Sequence, residues 1–202
     1  MSSATFLLVR HASHDWIERG FAGRMPHVRL NAQGVREAQQ LVTRLHGVPI
    51  DAVYCTPQPR TQETGQPLAA ERGLAVDVEP GFDEVDVGEW QGMEFEQLRA
   101  QGAVWQQWCE RRGSARPPGG EPFAQVPRRA VAALHKLRAR HPGQRVLLVA
   151  HGDVIKSAIA DCIGMPLDNL ECLDIAPVSV SILDLGQGWS RLRLLNALGP
   201  LR

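Results

Sequence analysis

Two apolar runs in this chain end in the same way: Phe6-Leu-Leu-Val9 leads into Arg10-His11, and Val146-Leu-Leu-Val-Ala150 leads into His151-Gly152. Short continuous apolar runs of this kind suit strands buried on both faces, the pattern of a parallel sheet. In an open parallel α/β sheet, ligands bind in the crevice beyond the carboxyl ends of the strands. The repetition therefore delivers two imidazoles and a guanidinium to one place from distant parts of the chain. A single such histidine is most simply a strand-end residue satisfied by a backbone carbonyl; two matched cases beside an arginine point to function.

The rest of the chain supports that architecture. Strand candidates are Thr5-Val9, Ala52-Cys55, Ala75-Val78, Val146-Ala150, Val178-Leu183 and Leu192-Leu195. Helical periods lie between them. From Asn31, a plausible N-cap, Val35, Ala38, Leu41, Val42 and Leu45 follow a 3.6-residue repeat that Gly47 ends. Further helices are expected over Gln58-Arg72, Phe95-Arg111 and Pro127-Arg140, and over Val154-Ile163 with Asp153 as cap and Gly164 and Pro166 as stop. Gly20-Arg29 and Arg111-Pro122 read as loops over a site. Strands alternating with helices predict an α/β three-layer sandwich with a mainly parallel central sheet. We expect one domain over residues 1–202, with residues about 93–125 forming a small cap over the carboxyl ends of the strands.

Charge narrows the function classes. The chain of 202 residues carries 22 Lys plus Arg against 22 Asp plus Glu, a formal net charge of zero. That argues against a partner held by bulk attraction, such as DNA, RNA or anionic lipid. No apolar run approaches the ~18 residues of a membrane span, and no charged n-region precedes a signal-like segment; a cytoplasmic protein is expected. The charges are unevenly spread, with eight acids and no Lys or Arg from Gly73 to Leu98, and six Lys or Arg and no acid from Pro122 to Gly152. Such runs are usually solvated faces. Cys55, Cys109, Cys162 and Cys172 form no CxxC pair, which suggests free, mostly buried thiols.

Further groups can join the two histidines. After the strand Ala52-Cys55, the segment Thr56-Pro-Gln-Pro-Arg60 puts Arg60 in the first turn of a helix, where its donors add to the positive end of the helix. A carboxylate is available in Phe82-Asp-Glu-Val-Asp-Val-Gly-Glu-Trp90, but spacing does not choose between Asp83, Glu84, Asp86 and Glu89. Two His, two Arg and one acid at a strand-end crevice suit a phosphoryl group, whose transfer rests mainly on positioning and charge neutralisation. A neutral imidazole can attack phosphorus directly, which requires no metal or other cofactor. The pair His11-x-x-His14 also permits a metal reading, which we set aside because it follows a strand and no carboxylate or Cys accompanies it at ligand spacing.

With these residues in view, the chain resembles the histidine phosphatase superfamily, the phosphoglycerate-mutase-like enzymes. Leu8-Val-Arg-His11 is similar to the family's opening LVRHG motif, and the run continues to Trp16 as RHxxxxW. Gly23-Arg24 with Leu30-Asn-Ala-Gln-Gly34, Val53-Tyr-Cys-Thr-Pro57 with Arg60, Phe82 to Gly92, Gly119-Gly-Glu121 and Val149-Ala-His-Gly152 resemble the following blocks in order, the last extending to Asp153 as AHGD. The resemblance implies a phosphorylated nucleophile at His11, an acid-base at Glu84 and a phosphate pocket of Arg10, Arg60 and His151. It adds substrate contacts from His14, Gly23, Arg24 and Gly152. The chain departs from the pattern at Ala12 for Gly, His14 for Ser or Thr, and Ile17 for Asn. Ala12 is tolerated unless its position needs a positive φ, and His14 can replace the missing hydroxyl donor.

The expected activity is a metal-independent phosphomonoesterase acting on a small phosphorylated metabolite, as a monomer or homodimer. Two alternatives are weighed. A phosphoglycerate-type mutase typically carries extra cap segments and a C-terminal tail, for which 202 residues ending at Gly199-Pro-Leu-Arg leave little room. An inactive phosphate-binding scaffold is motivated by Ala12, His14 and Ile17, yet has no need of the proton donor Glu84. Trp105 and Trp108, at helical spacing, are expected in the core; Arg111 and Arg112 are either solvated or a clamp on an anionic leaving group.

Overall fold

All six anticipated strands form, with ends shifted by up to two residues. The computed structural model describes residues 3–201. Its order is β1 (Ala4–Arg10), α1 (Ala32–Arg44), β2 (Ala52–Cys55), α2 (Pro59–Arg72), β3 (Val76–Val78), α3 (Phe95–Arg99), α4 (Ala103–Glu110), α5 (Gln125–Arg140), β4 (Arg145–Ala150), α6 (Gly152–Ile163), β5 (Val180–Leu185) and β6 (Ser190–Ala197). Short 3-10 turns punctuate the connections at Pro80–Phe82, Gly88–Trp90, Arg112–Ser114 and Leu167–Cys172.

The strands make one sheet in the order β3-β2-β4-β1-β5-β6. The first four are mutually parallel, and β5 and β6 close the other edge antiparallel. Side chains alternate across the sheet as a two-residue period requires. Phe6, Leu8, Val146 and Leu148 enter the core beneath α5 and α6, while Leu7, Val9, Leu147 and Val149 enter the core beneath α1 and α2. This produces the three layers. Because β1 pairs in parallel with β4 so that Arg10 faces Ala150, the chain emerges at positions 11 and 151 from adjacent strand ends.

Helix boundaries follow local chemistry. Asn31 caps α1 by accepting from the Gly34 N–H at 2.9 Å, and Gly164 ends α6 in the left-handed conformation at φ 72°. The N-cap of α6 is His151, so Asp153 sits inside the first turn instead of capping it. The single helix expected over Phe95-Arg111 is broken into α3 and α4, because Gly102 adopts φ 60°, a left-handed value that interrupts helical geometry. Residues 93–125 add no strand to the sheet; Trp108 and Phe123 are buried in its core, and Trp105 packs half-buried against it. Only Cys55 of the four free thiols is buried, with Cys162 half-buried and Cys109 and Cys172 exposed. Among the described residues, no helix is long and apolar enough to cross a membrane.

Candidate active site

Beyond the carboxyl ends of β1 and β4 lies a cavity of about 250 Å³. Arg10, His11, His14, Gly23, Arg60, Glu84 and Gly152 line it, together with Trp16, Ile17, Phe21, Trp108 and the carboxylates Asp153 and Asp174. His151 stands immediately behind, its ring 5.3 Å from that of His11. The two matched strand ends thus meet, as their repetition in sequence predicts.

His11 is 3% exposed, and its Nδ1 lies 2.9 Å from the Ala12 carbonyl. A carbonyl only accepts, so Nδ1 carries the proton and the lone pair is left on Nε2. Burial, then the positive charge of Arg60 and Arg10 and the neighbouring His14 ring, pushes the His11 pKa well below 6.5, so the ring is neutral. The same backbone turn is fixed from below: the Ala12 N–H donates to Thr64 Oγ1 at 2.9 Å and the Ser13 N–H to Glu37 at 2.8 Å. Ala12 has no positive φ, so its methyl is accommodated without backbone strain.

His14 keeps a similar neutrality. Its ring lies 4.9 Å from that of His11, and its Nδ1 accepts from the Trp16 N–H at 3.2 Å, which assigns the proton to Nε2. Burial and then Arg60 lower its pKa to about 4.

Arg60 is fully buried in the first turn of α2. Its Nη2 donates to the Gly23 carbonyl at 2.7 Å and approaches His151 Nδ1 at 3.3 Å and Glu84 at 3.7 Å. Its Nε and Nη1 are buried without a partner, as is Arg10 Nε. Buried charged donors without acceptors are costly, and an anion in the cavity would satisfy them. Arg10 is anchored by Nη1 donating to the Ile175 carbonyl at 2.7 Å. Gly152 adjoins it, a Cβ there standing in ordinary contact 3.4 Å from Arg10 Nε. His151 Nε2 lies 3.0 Å from Thr56 Oγ1, and burial followed by Arg60 holds its pKa well below 6.5.

The structure separates the four carboxylates that spacing leaves equivalent. Glu84 alone lines the cavity, 3.4 Å from His151 Nδ1. Burial outweighs Arg60 and raises its pKa to about 7. Asp83 accepts from the Gln58 amide and the Glu84 N–H, Asp86 accepts from the Gly88 N–H, and Glu89 is exposed.

Arg24 does not line this cavity, although it is expected at the substrate. Its Nε donates to the Glu84 carbonyl at 2.8 Å and its Nη2 to Glu121 at 3.1 Å. Arg129 of α5 donates to that same carbonyl and to Glu121, whose carboxylate also accepts from the Asp86 N–H. Arg24, Glu121 and Arg129 thereby hold the loop that presents Glu84, a role local spacing could not reveal. The basic run is otherwise largely a solvated face, with Arg128, Lys136, Arg140 and Arg145 exposed, and Lys136 pairs with Glu79 of the acidic run. Arg111 is exposed, but Arg112 is neither solvated nor free to clamp an anion. It is 5% exposed, paired with Asp153 at 2.8 Å and Glu171 at 2.6 Å, and stacked 4.2 Å from the Trp108 ring.

His11, Glu84 and His151 offer ligand atoms within 4.8 Å of one another, a donor set a divalent metal could use and one that sequence spacing did not reveal. Arg10 and Arg60 border the same place, and their charges oppose a dication and favour an anion.

The family model of the histidine phosphatase superfamily (branch 1) matches residues 6–198. The chain is 31% identical over 192 residues to the adenosylcobalamin/alpha-ribazole phosphatase of Escherichia coli, covering 94% of each. It is 27% identical to phosphoserine phosphatase 1 of Hydrogenobacter thermophilus, covering 94% of this chain and 90% of that one. Among solved structures, YhfR of Bacillus stearothermophilus superposes with a TM-score of 0.91 at 27% identity, covering 97% of this chain and 98% of that chain. The chain belongs to the histidine phosphatase superfamily and is a phosphatase of that family.

Proposed function

We propose that the protein is a phosphomonoesterase that acts without a metal, through a phosphohistidine at His11, on a small phosphorylated metabolite. The observation that carries this reading is the neutral His11 ring. Its Nδ1 proton is engaged by the Ala12 carbonyl, leaving a lone pair on Nε2 beside the unpartnered donors of Arg10 and Arg60. In the first step Nε2 attacks phosphorus, the bond from phosphorus to the ester oxygen breaks, and Glu84 gives its proton to the departing oxygen. In the second, water attacks phosphorus while its proton passes to Glu84, the phosphorus–Nε2 bond breaks, and the lone pair returns to His11. A carboxyl with a pKa of about 7 is matched to both directions of transfer near neutral pH. Arg10 and Arg60 neutralise the equatorial oxygens, His151 positions Arg60 from behind, and the His14 Nε2–H supplies the donor that Ser or Thr gives elsewhere in the family.

Incubation with a radiolabelled phosphodonor in EDTA tests the scheme. Wild type should acquire a label that is acid-labile and base-stable, and His11→Ala none. A label that survives in His11→Ala, or turnover that EDTA abolishes, would refute it.

A further inference from the structure

The cavity at His11 continues into a second one of about 400 Å³, the two sharing Phe21, Phe95, Trp108 and Asp153 in their walls. Trp105 belongs to the second wall alone. The rings form one cluster around Phe21, whose centroid lies 6.0 Å from Phe95 and 5.7 Å from both Trp105 and Trp108. Trp108 is buried, but Phe21, Phe95 and Trp105 are only half-buried, so an aromatic cluster remains unfinished where the cavities join. An apolar surface of this kind, continuous with a polar pocket, is how ligand sites combine affinity with orientation.

The charges around it decide what kind of group it takes. Arg112, the cation of the second wall, is already paired with Asp153 and Glu171, and Lys156 of the first wall pairs with Glu171 at 3.3 Å. In the wall of the second cavity the acids Asp153 and Glu171 outnumber Arg112 by two to one. A carboxylate on the leaving group would have to break one of these pairs while facing a net negative wall. A neutral ring meets only ring edges and faces.

We infer that the second cavity is a leaving-group subsite that selects phosphomonoesters of neutral, ring-bearing alcohols against those carrying a carboxylate. This rests on the phosphatase reading above and extends it to substrate class. Trp105 is its specificity-determining residue, because it is half-buried and lines the second cavity without lining the one that holds His11 and Glu84.

Three alkyl esters test the subsite: 2-phenylethyl phosphate, ethyl phosphate and O-phosphoserine. The first two leave as primary alcohols of similar basicity, so their ratio reports recognition and not intrinsic reactivity. We expect kcat/KM for 2-phenylethyl phosphate to exceed both others by about tenfold or more, the size of a ring contact plus its buried area. Trp105→Ala should bring that ratio close to one, and Trp105→Leu, which keeps an apolar side chain in place, should lower it partway. Equal rates on the three esters, a preference for O-phosphoserine, or ratios unmoved in both variants would overturn the subsite. So would an enzyme that turns over 4-nitrophenyl phosphate but none of the three. Labelling of His11 and turnover of 4-nitrophenyl phosphate report separately on the phosphatase reading.

Discussion

Replacing Glu84 by Gln removes an acid of the cavity whose proton affinity folding raises. Its carboxyl has an ordinary pKa of 4.5 and in the folded chain one of about 7, because burial outweighs the attraction of Arg60. Below pH 4.5 the group is protonated in both states and contributes nothing. Between pH 4.5 and 7 the folded chain binds the proton that the unfolded chain has released, so stability falls as pH rises through this window. Above pH 7 the full cost is present. The gap corresponds to about 3 kcal/mol, at ~1.4 kcal/mol per pH unit. The side chain is 20% exposed, so solvent screening lowers this figure little. Gln preserves the acceptor for the Val85 N–H, which the Glu84 carboxyl now binds at 2.9 Å, and does not titrate. Glu84→Gln should therefore match wild type near pH 4 and exceed it by about 3 kcal/mol at pH 8, roughly 6–12 °C in Tm for a chain of this size. Denaturant titrations of both proteins across pH 4–8 measure the difference. A gap that is independent of pH, or that favours wild type as pH rises, would refute the assignment of a raised pKa to Glu84.

The same variant should slow a primary alkyl phosphate far more than 4-nitrophenyl phosphate, whose leaving oxygen needs little protonation, and equal losses would remove Glu84 as the acid. In wild type, kcat/KM for the alkyl ester should fall above pH about 7 as Glu84 loses its proton, a limb the activated ester lacks. Arg60→Ala should lower kcat by about 10²–10³, the loss typical of one preorganised transition-state donor, and steady-state kinetics with an unchanged kcat would take it out of the pocket. Gly34→Ala places a Cβ 2.0 Å from the Ser13 carbonyl oxygen, against unyielding backbone two residues from His11, and should cost about 3 kcal/mol in a denaturant titration, with lower turnover.

Much of this arrangement is legible in the sequence because it is encoded in short range. Each strand is a run of apolar residues, and the identical ends of two of them predict that His11 and His151 converge. The break between α3 and α4 is encoded just as locally, in Gly102, but glycine tolerates helical and left-handed geometry alike, so a helical period running past it is ambiguous. Long-range pairing leaves no local mark. The bonds from Arg24 and Arg129 to the Glu84 carbonyl join residues 60 and 45 positions apart, and Arg112 reaches Glu171 across 59. Choosing Glu84 among four neighbouring acids likewise required the fold, since only the shape of the turn after Phe82 decides which carboxyl meets the cavity.

The electrostatics of the crevice assign its chemistry by inverting an ordinary order. In water an imidazole holds a proton more tightly than a carboxyl, 6.5 against 4.5. Here one set of groups moves both, in opposite directions. Burial disfavours charge on each, so it lowers the histidines and raises Glu84. The guanidiniums add to that trend at His11 and His151 but oppose it at Glu84, where burial still prevails. Up to about pH 7 the proton therefore rests on the carboxyl and the lone pair on the imidazole, which is the distribution nucleophilic attack and leaving-group protonation require together. A chain of zero net charge achieves this because the effect depends on where its arginines converge and on the loss of water there, and the overall charge balance does not enter.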